Sequence, residues 1–374
     1  MMLVGIDARG AIWYRGTGIG TYTYQLLYHL KKRPESNNYR LFWPGEEFVG
    51  LDICCRDVFE KIEASQNYWE EYFLPQQLAH EKINVYHVPQ NGIGLPMKKE
   101  CKQVVTVHDL IPYIYPETVG KGYLKIFMTE MPRIMENADR IITVSKCSKK
   151  DIENIFGYPG EKIDVIYEAP EPIYAPGDKT QCREFLAAKY GITEDFVLYV
   201  GGFSPRKNVK GLLTAYAEVI KELEKKFLLV LPGKRNKEFD QIDAMINVLN
   251  LQDRVIFPGF VPVQHLPYFY QGASVFVYPS FYEGFGLPPL EAMSCATPTI
   301  VANTSSLPEV VGKSAVLFNP YDTLDLAEKM LKILLEPEWA HFLSKKALNR
   351  AKKYSWSKVA EETASVYQKT VSAF

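Results

Sequence analysis

Between residues 273 and 296 the chain passes from a mostly apolar run, 273–278, through a glycine- and proline-rich loop into apolar residues at helical spacing. Leu290, Ala292, Met293 and Ala296 carry that spacing, which stops before Pro298. A buried strand, a loop and a helix in this order fit a sheet with its faces covered. The loop reads Glu283-Gly284-Phe285-Gly286-Leu287-Pro288-Pro289-Leu290-Glu291. Prolines suit the first helical positions, where an N–H would have no intrahelical partner. They leave Phe285, Gly286, Leu287 and Leu290 with donors to offer. Donors at a helix N-terminus, beside glycines that allow close approach, fit a phosphate. The two carboxylates would repel that phosphate, so they fit hydroxyls on either side of it, with Glu291 expected in the helix's first turn. A diphosphate flanked by polyols is a nucleotide sugar. Taken singly, each glutamate has a plainer reading: Glu291 complements the helix dipole, and Glu283 is a solvated loop residue.

The rest of the chain repeats the strand-to-helix unit. Residues 3–6 read as a strand, followed by Gly16-Thr17-Gly18-Ile19-Gly20 and an amphipathic run, 22–30. Residues 85–89 and 104–107 read as buried strands. Residues 138–145 read as a strand leading to a helix headed by Ser145 or Ser148, and 165–167 as the last strand of this half. Three prolines among residues 169–177 mark a semi-rigid linker. Beyond it, 196–200, 228–231, 255–257 and 273–278 are strands with helical runs between them, and 356–371 is helical. Alternation at this spacing implies parallel sheets with helices on both faces. At 374 residues the chain exceeds one ordinary core. We therefore expect an α/β protein of two Rossmann-like domains, 1–168 and 178–355, joined by a linker at 169–177 and followed by a helix at 356–374.

Two further loops carry chemistry. His108 ends the strand 104–107 in the string His-Asp-Leu-Ile-Pro, at the carboxyl edge where open α/β sheets bind ligands. His29, His80, His87, His265 and His341 have no such support. Arg206 and Lys207 follow the strand 196–200 in Gly201-Gly202-Phe203-Ser204-Pro205-Arg206-Lys207-Asn208. A planar fork beside a point charge suits a diphosphate; a solvated charge pair is the plainer alternative. The first glycine loop misses the NAD fingerprint, because Thr21 stands at the third glycine and no acidic residue closes the run 41–43.

The full string from Glu283 to Glu291, followed by Ala-Met-Ser-Cys-Ala-Thr-Pro-Thr-Ile-Val-Ala, closely resembles the signature of retaining glycosyltransferases of family 4, also called group 1. The likeness spans nearly the whole chain, strongest over 197–318 and weakest over about 45–80. It implies the GT-B architecture, two Rossmann-like domains facing across a cleft with the last helix crossing back to the first. By the resemblance, Gly16, Thr17 and Gly18 face the donor's diphosphate and His108 lies beside the transferred sugar. Arg206 and Lys207 then meet the diphosphate, and Glu283 reaches the sugar. Phe285, Gly286 and Leu287 line the donor site, Glu291 holds the ribose, and Lys234 and Val261 flank the base. The implied activity is transfer of a hexose, from GDP-mannose or a UDP-hexose, with retention. The acceptor is a glycan, a lipid-linked glycan or a small molecule, in surface-polysaccharide or glycoconjugate synthesis. In the mechanism proposed for such enzymes the leaving phosphate oxygen takes the acceptor's proton, so no separate base is needed.

Composition narrows the rest. A net charge of −1 gives no basic footprint for nucleic acid. Cys54, Cys55, Cys101, Cys147, Cys182 and Cys295 show no C-x2-C spacing and read as reduced thiols of a cytoplasmic protein. No apolar run approaches the ~20 residues of a membrane helix, which leaves peripheral contact with the inner membrane face compatible. Asp-x-Asp is absent, so we expect no metal clamp and no cofactor beyond the donor. Two rivals remain: a hydrolase or phosphorylase using Glu283 and Glu291 as acid and nucleophile, and a sugar-nucleotide-binding protein without turnover.

Overall fold

A computed structural model describes residues 2–14, 16–33, 38–43, 69–235 and 237–372. Cys54 and Cys55 lie outside the described residues, whereas Cys101, Cys147, Cys182 and Cys295 form no disulfide among the described residues. The chain forms two compact units, Met1–Glu168 with Ser355–Phe374, and Ala169–Tyr354.

The first unit is built on a parallel sheet of six strands: β1 (Leu3–Asp7), β2 (Asn38–Phe42), β3 (Val85–Val88), β4 (Lys102–Val107), β5 (Arg140–Thr143) and β6 (Ile163–Val165). Their order is β2-β1-β3-β4-β5-β6. Val4, Ile6, Val85, Val88, Val104, Val105, Val107, Ile141 and Ile142 are all buried. Such β-branched runs, apolar on both faces, suit a parallel sheet covered on both sides. One cover is the helix Gly18–Lys32; another is the last helix, Trp356–Ser372, which buries Trp356, Val359, Ala360, Val366 and Tyr367 in this unit. Ser145 caps the helix Lys146–Phe156, accepting from the Ser148 N–H at 2.9 Å.

The second unit repeats the plan with β7 (Asp195–Leu198), β8 (Phe227–Val230), β9 (Val255–Ile256), β10 (Val275–Tyr278), β11 (Thr299–Ala302) and β12 (Val316–Phe318), in the order β12-β11-β10-β7-β8-β9. The sequence reading passes over β11 and β12. Every residue of β11 is buried, and β12 is half-buried up to its last residue, Phe318.

The stretch 169–177 is not a free linker. Ala169 and Tyr174 are buried, the Tyr174 ring meets Tyr270 edge-on at 5.7 Å, and Gln271 Nε2 donates to the Ala175 carbonyl at 2.6 Å. Its prolines stiffen a segment that packs on the second unit, so that unit begins at Ala169 and ends at Tyr354, with Ser355 already in the first. Among the described residues no helix is long and apolar enough to cross a membrane.

Candidate active site

At the carboxyl end of the second sheet, three of the expected residues come together. Arg206 and Lys207 lie in a single 3-10 turn after β7, Pro205–Lys207. Lys207 Nζ reaches Glu283 Oε1 at 2.6 Å and the Tyr278 hydroxyl at 2.8 Å. Arg206 Nη1 lies 3.0 Å from the same Glu283 oxygen and also donates to the Tyr282 carbonyl. The backbone reinforces this, since the Phe281 N–H donates to the Arg206 carbonyl at 2.9 Å. Glu283 is 8% exposed. Burial alone would raise its carboxyl, but the charges of Lys207 and Arg206 outweigh it and bring the pKa down from 4.5 to about 2. The turn ends in Asn208, whose left-handed backbone and side chain cap the helix Val209–Val219, while its Nδ2 donates to the carbonyls of Pro279 and Pro320.

The loop after Glu283 is held in place by two serines. The Glu283 N–H donates to Ser305 Oγ at 3.0 Å, and the Ser306 hydroxyl is shared between the Glu283 and Phe285 carbonyls at 2.9 and 2.7 Å. Gly286, at φ 113°, heads the helix Leu287–Ser294 with Pro288 and Pro289 directly inside it. In a regular helix the carbonyl of the residue before the first turn accepts from the N–H four positions on. Here that donor is Leu290, which removes it from the anion seat; Gly286 and Leu287 remain at the head.

Glu291 departs from expectation. It is the fifth residue of its helix, in the second turn and not the first. Although the residue as a whole is half-buried, its carboxylate is enclosed by aromatic hydroxyls: Tyr270 donates to Oε2 at 2.7 Å, and Tyr174 lies within hydrogen-bonding reach. Burial raises the carboxyl from 4.5 to about 7, helped by the charge of Glu171, while the two tyrosine hydrogen bonds pull it back only in part.

In the first unit, Gly16 takes φ 85°, Thr17 caps the helix Gly18–Lys32 by accepting from the Gly20 N–H at 3.2 Å, and Gly18 is the first helical residue. All three are exposed. The helix thus starts four residues earlier than its apolar pattern suggests. His108 is 7% exposed. Its N–H donates to Asn91 Oδ1 at 2.8 Å, its carbonyl accepts from Ser148 Oγ at 3.1 Å, and its ring nitrogens face Glu168 and the Pro89 carbonyl.

Comparison with known proteins settles the family. A model described as glycosyl transferases group 1 matches residues 183–350, and one described as glycosyltransferase family 4 matches residues 16–169. An O-antigen chain mannosyltransferase B of Escherichia coli is 31% identical over 97% of this chain and 99% of its own length. The chain belongs to the group 1 glycosyltransferases. Its fold is that of sucrose-phosphate synthase from Thermosynechococcus elongatus, with a TM-score of 0.76 at 21% identity and full coverage of both chains. It is also that of Anabaena HepE in complex with UDP and glucose, with a TM-score of 0.73 at 17% identity over 99% of this chain and 100% of that one. The two six-stranded parallel sheets with their helices are those of the GT-B architecture.

In this glycosyltransferase the remaining expected residues stand at the edge of the Arg206 cluster's sheet. The Gly233 N–H donates to the Gly259 carbonyl at 3.0 Å, tying the loops after β8 and β9 together. Lys234 is exposed on the first of these, and Val261, on the second, is 6% exposed with its side chain inside the unit. The sequence reading missed Tyr270, Tyr174, Tyr278 and Glu168. For Glu168 a signal existed: it follows β6 at the same carboxyl edge as His108, two residues before Pro170.

Proposed function

We propose that this glycosyltransferase moves a mannosyl residue from GDP-mannose to a glycan or lipid-linked acceptor in surface-polysaccharide synthesis, with retention and without a metal ion. The observation that carries the reading is the Arg206–Glu283–Lys207 cluster beside the glycine-headed helix. Two cations fixed on one carboxylate are preorganised for the charge that develops on a departing diphosphate. Mannose follows from the E. coli relative, which matches over nearly its whole length and is named a mannosyltransferase.

In the proposed reaction the acceptor oxygen bonds to the anomeric carbon on the face the diphosphate leaves. The bond from that carbon to the phosphate oxygen breaks with its electron pair, and the same oxygen takes the acceptor's proton. GDP and the lengthened glycan are the products. The hydrolase rival loses ground, because Glu283 is bound to Lys207 and Arg206 while Glu291 is bound to tyrosines. Neither carboxyl group is placed as the partner of the other.

The test is GDP release from GDP-mannose with mannotriose as acceptor, run with excess EDTA and compared with UDP-glucose. Transfer that persists in EDTA, prefers GDP-mannose and gives an α-linked product by NMR supports the reading. A β-linked product, a need for added manganese or magnesium, or a preference for UDP-glucose overturns the corresponding part.

A further inference from the structure

Two histidines at the ends of neighbouring strands in the first unit are both buried, yet their ring nitrogens face opposite chemistry. His87, on β3, has hydroxyls at both: Tyr367 is 2.8 Å from Nδ1 and Thr106 is 2.8 Å from Nε2. A hydroxyl can donate or accept, so the ring can stay neutral. Burial, and then the charge of His108, takes its pKa down to about 3. His108, just past β4, has only acceptors. Nε2 lies 2.9 Å from the Pro89 carbonyl, and Nδ1 lies 3.1 Å from Glu168 Oε1. A carbonyl cannot donate and an ionised carboxylate accepts only, so this geometry favours a ring that donates from both nitrogens, an imidazolium.

The surroundings agree. Glu168 is 5% exposed, so its charge is poorly screened by water. The Tyr22 ring meets the imidazole edge-on at 4.7 Å from the helix Gly18–Lys32. The ionisable groups facing His108 are Glu168, Asp109 next in the chain, His87 from β3 and Tyr22. Burial disfavours the charged ring; the Glu168 hydrogen bond and charge overcome it, with smaller help from the Pro89 carbonyl and Asp109, and the pKa rises above the usual histidine value.

We infer that Glu168 is a positioning residue for glycosyl transfer: with the Pro89 carbonyl it locks the His108 ring in one plane as a doubly protonated imidazolium, with no lone pair left to accept a proton. The inference rests on the reading that places His108 beside the transferred sugar. There His108 supplies a fixed positive edge and not a base, consistent with the proton passing to the leaving phosphate oxygen.

The test uses full-length 15N-labelled protein, with the His108 imidazole signals assigned by their loss in His108→Gln and followed from about pH 6 to about pH 9. GDP release from GDP-mannose with mannotriose is measured in parallel. The wild-type ring stays doubly protonated at pH 7.5. In Glu168→Gln it becomes neutral, kcat falls about ten- to a hundredfold, GDP affinity is unchanged, and activity partly returns at lower pH. Glu168→Asp restores the charged ring and part of the rate. A neutral wild-type ring overturns the inference, as does a Glu168→Gln enzyme with a neutral ring and an unchanged rate. If His108→Gln transfers normally, the placement of His108 fails instead, which is a separate result. If the wild type releases no GDP from GDP-mannose, the donor reading fails and the imidazole spectrum still decides the state of the ring. Should Glu168→Gln not fold, that spectrum and the Glu168→Asp kinetics carry the decision.

Discussion

Glu283 is shared between two cations, and that sharing sets the sign of what its loss would do. In Glu283→Gln, Lys207 and Arg206 lose their counter-charge, so the cluster becomes more positive toward an incoming diphosphate. We expect calorimetry to show GDP binding as tight as in the wild type or tighter. The kcat of transfer should fall about ten- to a hundredfold, since charge-assisted hydrogen bonds of about 1.5–3 kcal/mol are lost. Weaker GDP binding would place Glu283 against the nucleotide and not the sugar. Glu291 has the opposite electrostatics. Its folded pKa, about 7, lies above the ordinary 4.5, so the stability it contributes is fully present below 4.5 and lost as the pH rises through about 7. A ribose diol donates best to the ionised form, so GDP affinity should rise about tenfold from about pH 6 to about pH 8. In Glu291→Gln that rise should vanish; an equal rise in the variant assigns it to the phosphates. The spacing of the two glutamates was legible in the sequence. Their partners were not, because Tyr270, Tyr174 and Lys207 reach them through the fold and follow no local period.

The helix Leu287–Ser294 begins where two constraints meet at Gly286. Its φ of 113° is disfavoured for any residue with a side chain, and a Cβ there would lie 2.8 Å from Leu307 Cδ2, which is fully buried. Gly286→Ala should therefore cost about 1–3 kcal/mol of stability and weaken GDP binding, as the helix head is pushed from its place. A thermal melt with and without GDP reads both effects. An unchanged melting temperature would mean that Leu307 yields freely. This element was read almost to the residue from its prolines and glycines, which are local signals. Its consequence for Glu291 was misjudged by one turn, because prolines can occupy the first three helical positions and the sequence does not say which. The strands are legible as apolar runs of three to six residues, from 165–167 to 273–278. β11 and β12 are no shorter than β6 and β9, so length does not account for their absence from the sequence reading.

Across the whole chain the two units differ in continuity, and that difference predicts how each survives alone. The second is one uninterrupted segment, Ala169–Tyr354; the first needs Ser355–Phe374 as well as Met1–Glu168. The last helix supplies Trp356, Val359, Val366 and Tyr367 to the first unit's core, and the Tyr367 hydroxyl to His87. Each large apolar side chain buried is worth about 1.5–3 kcal/mol, so their combined loss rivals the 5–15 kcal/mol that typically stabilises a domain. A chain ending at Tyr354 should therefore keep a cooperative, GDP-responsive melt from its second unit while residues 2–168 exchange amide hydrogens freely. A fragment 169–354 should fold and bind GDP. A fragment starting at 178 should melt lower, because it lacks Tyr174, which packs on Tyr270 and faces Glu291. Hydrogen exchange on the truncated chain and melts of both fragments decide the matter. Protection persisting in β1, β3 and β4 without the last helix would show that the first unit's sheet closes its own core.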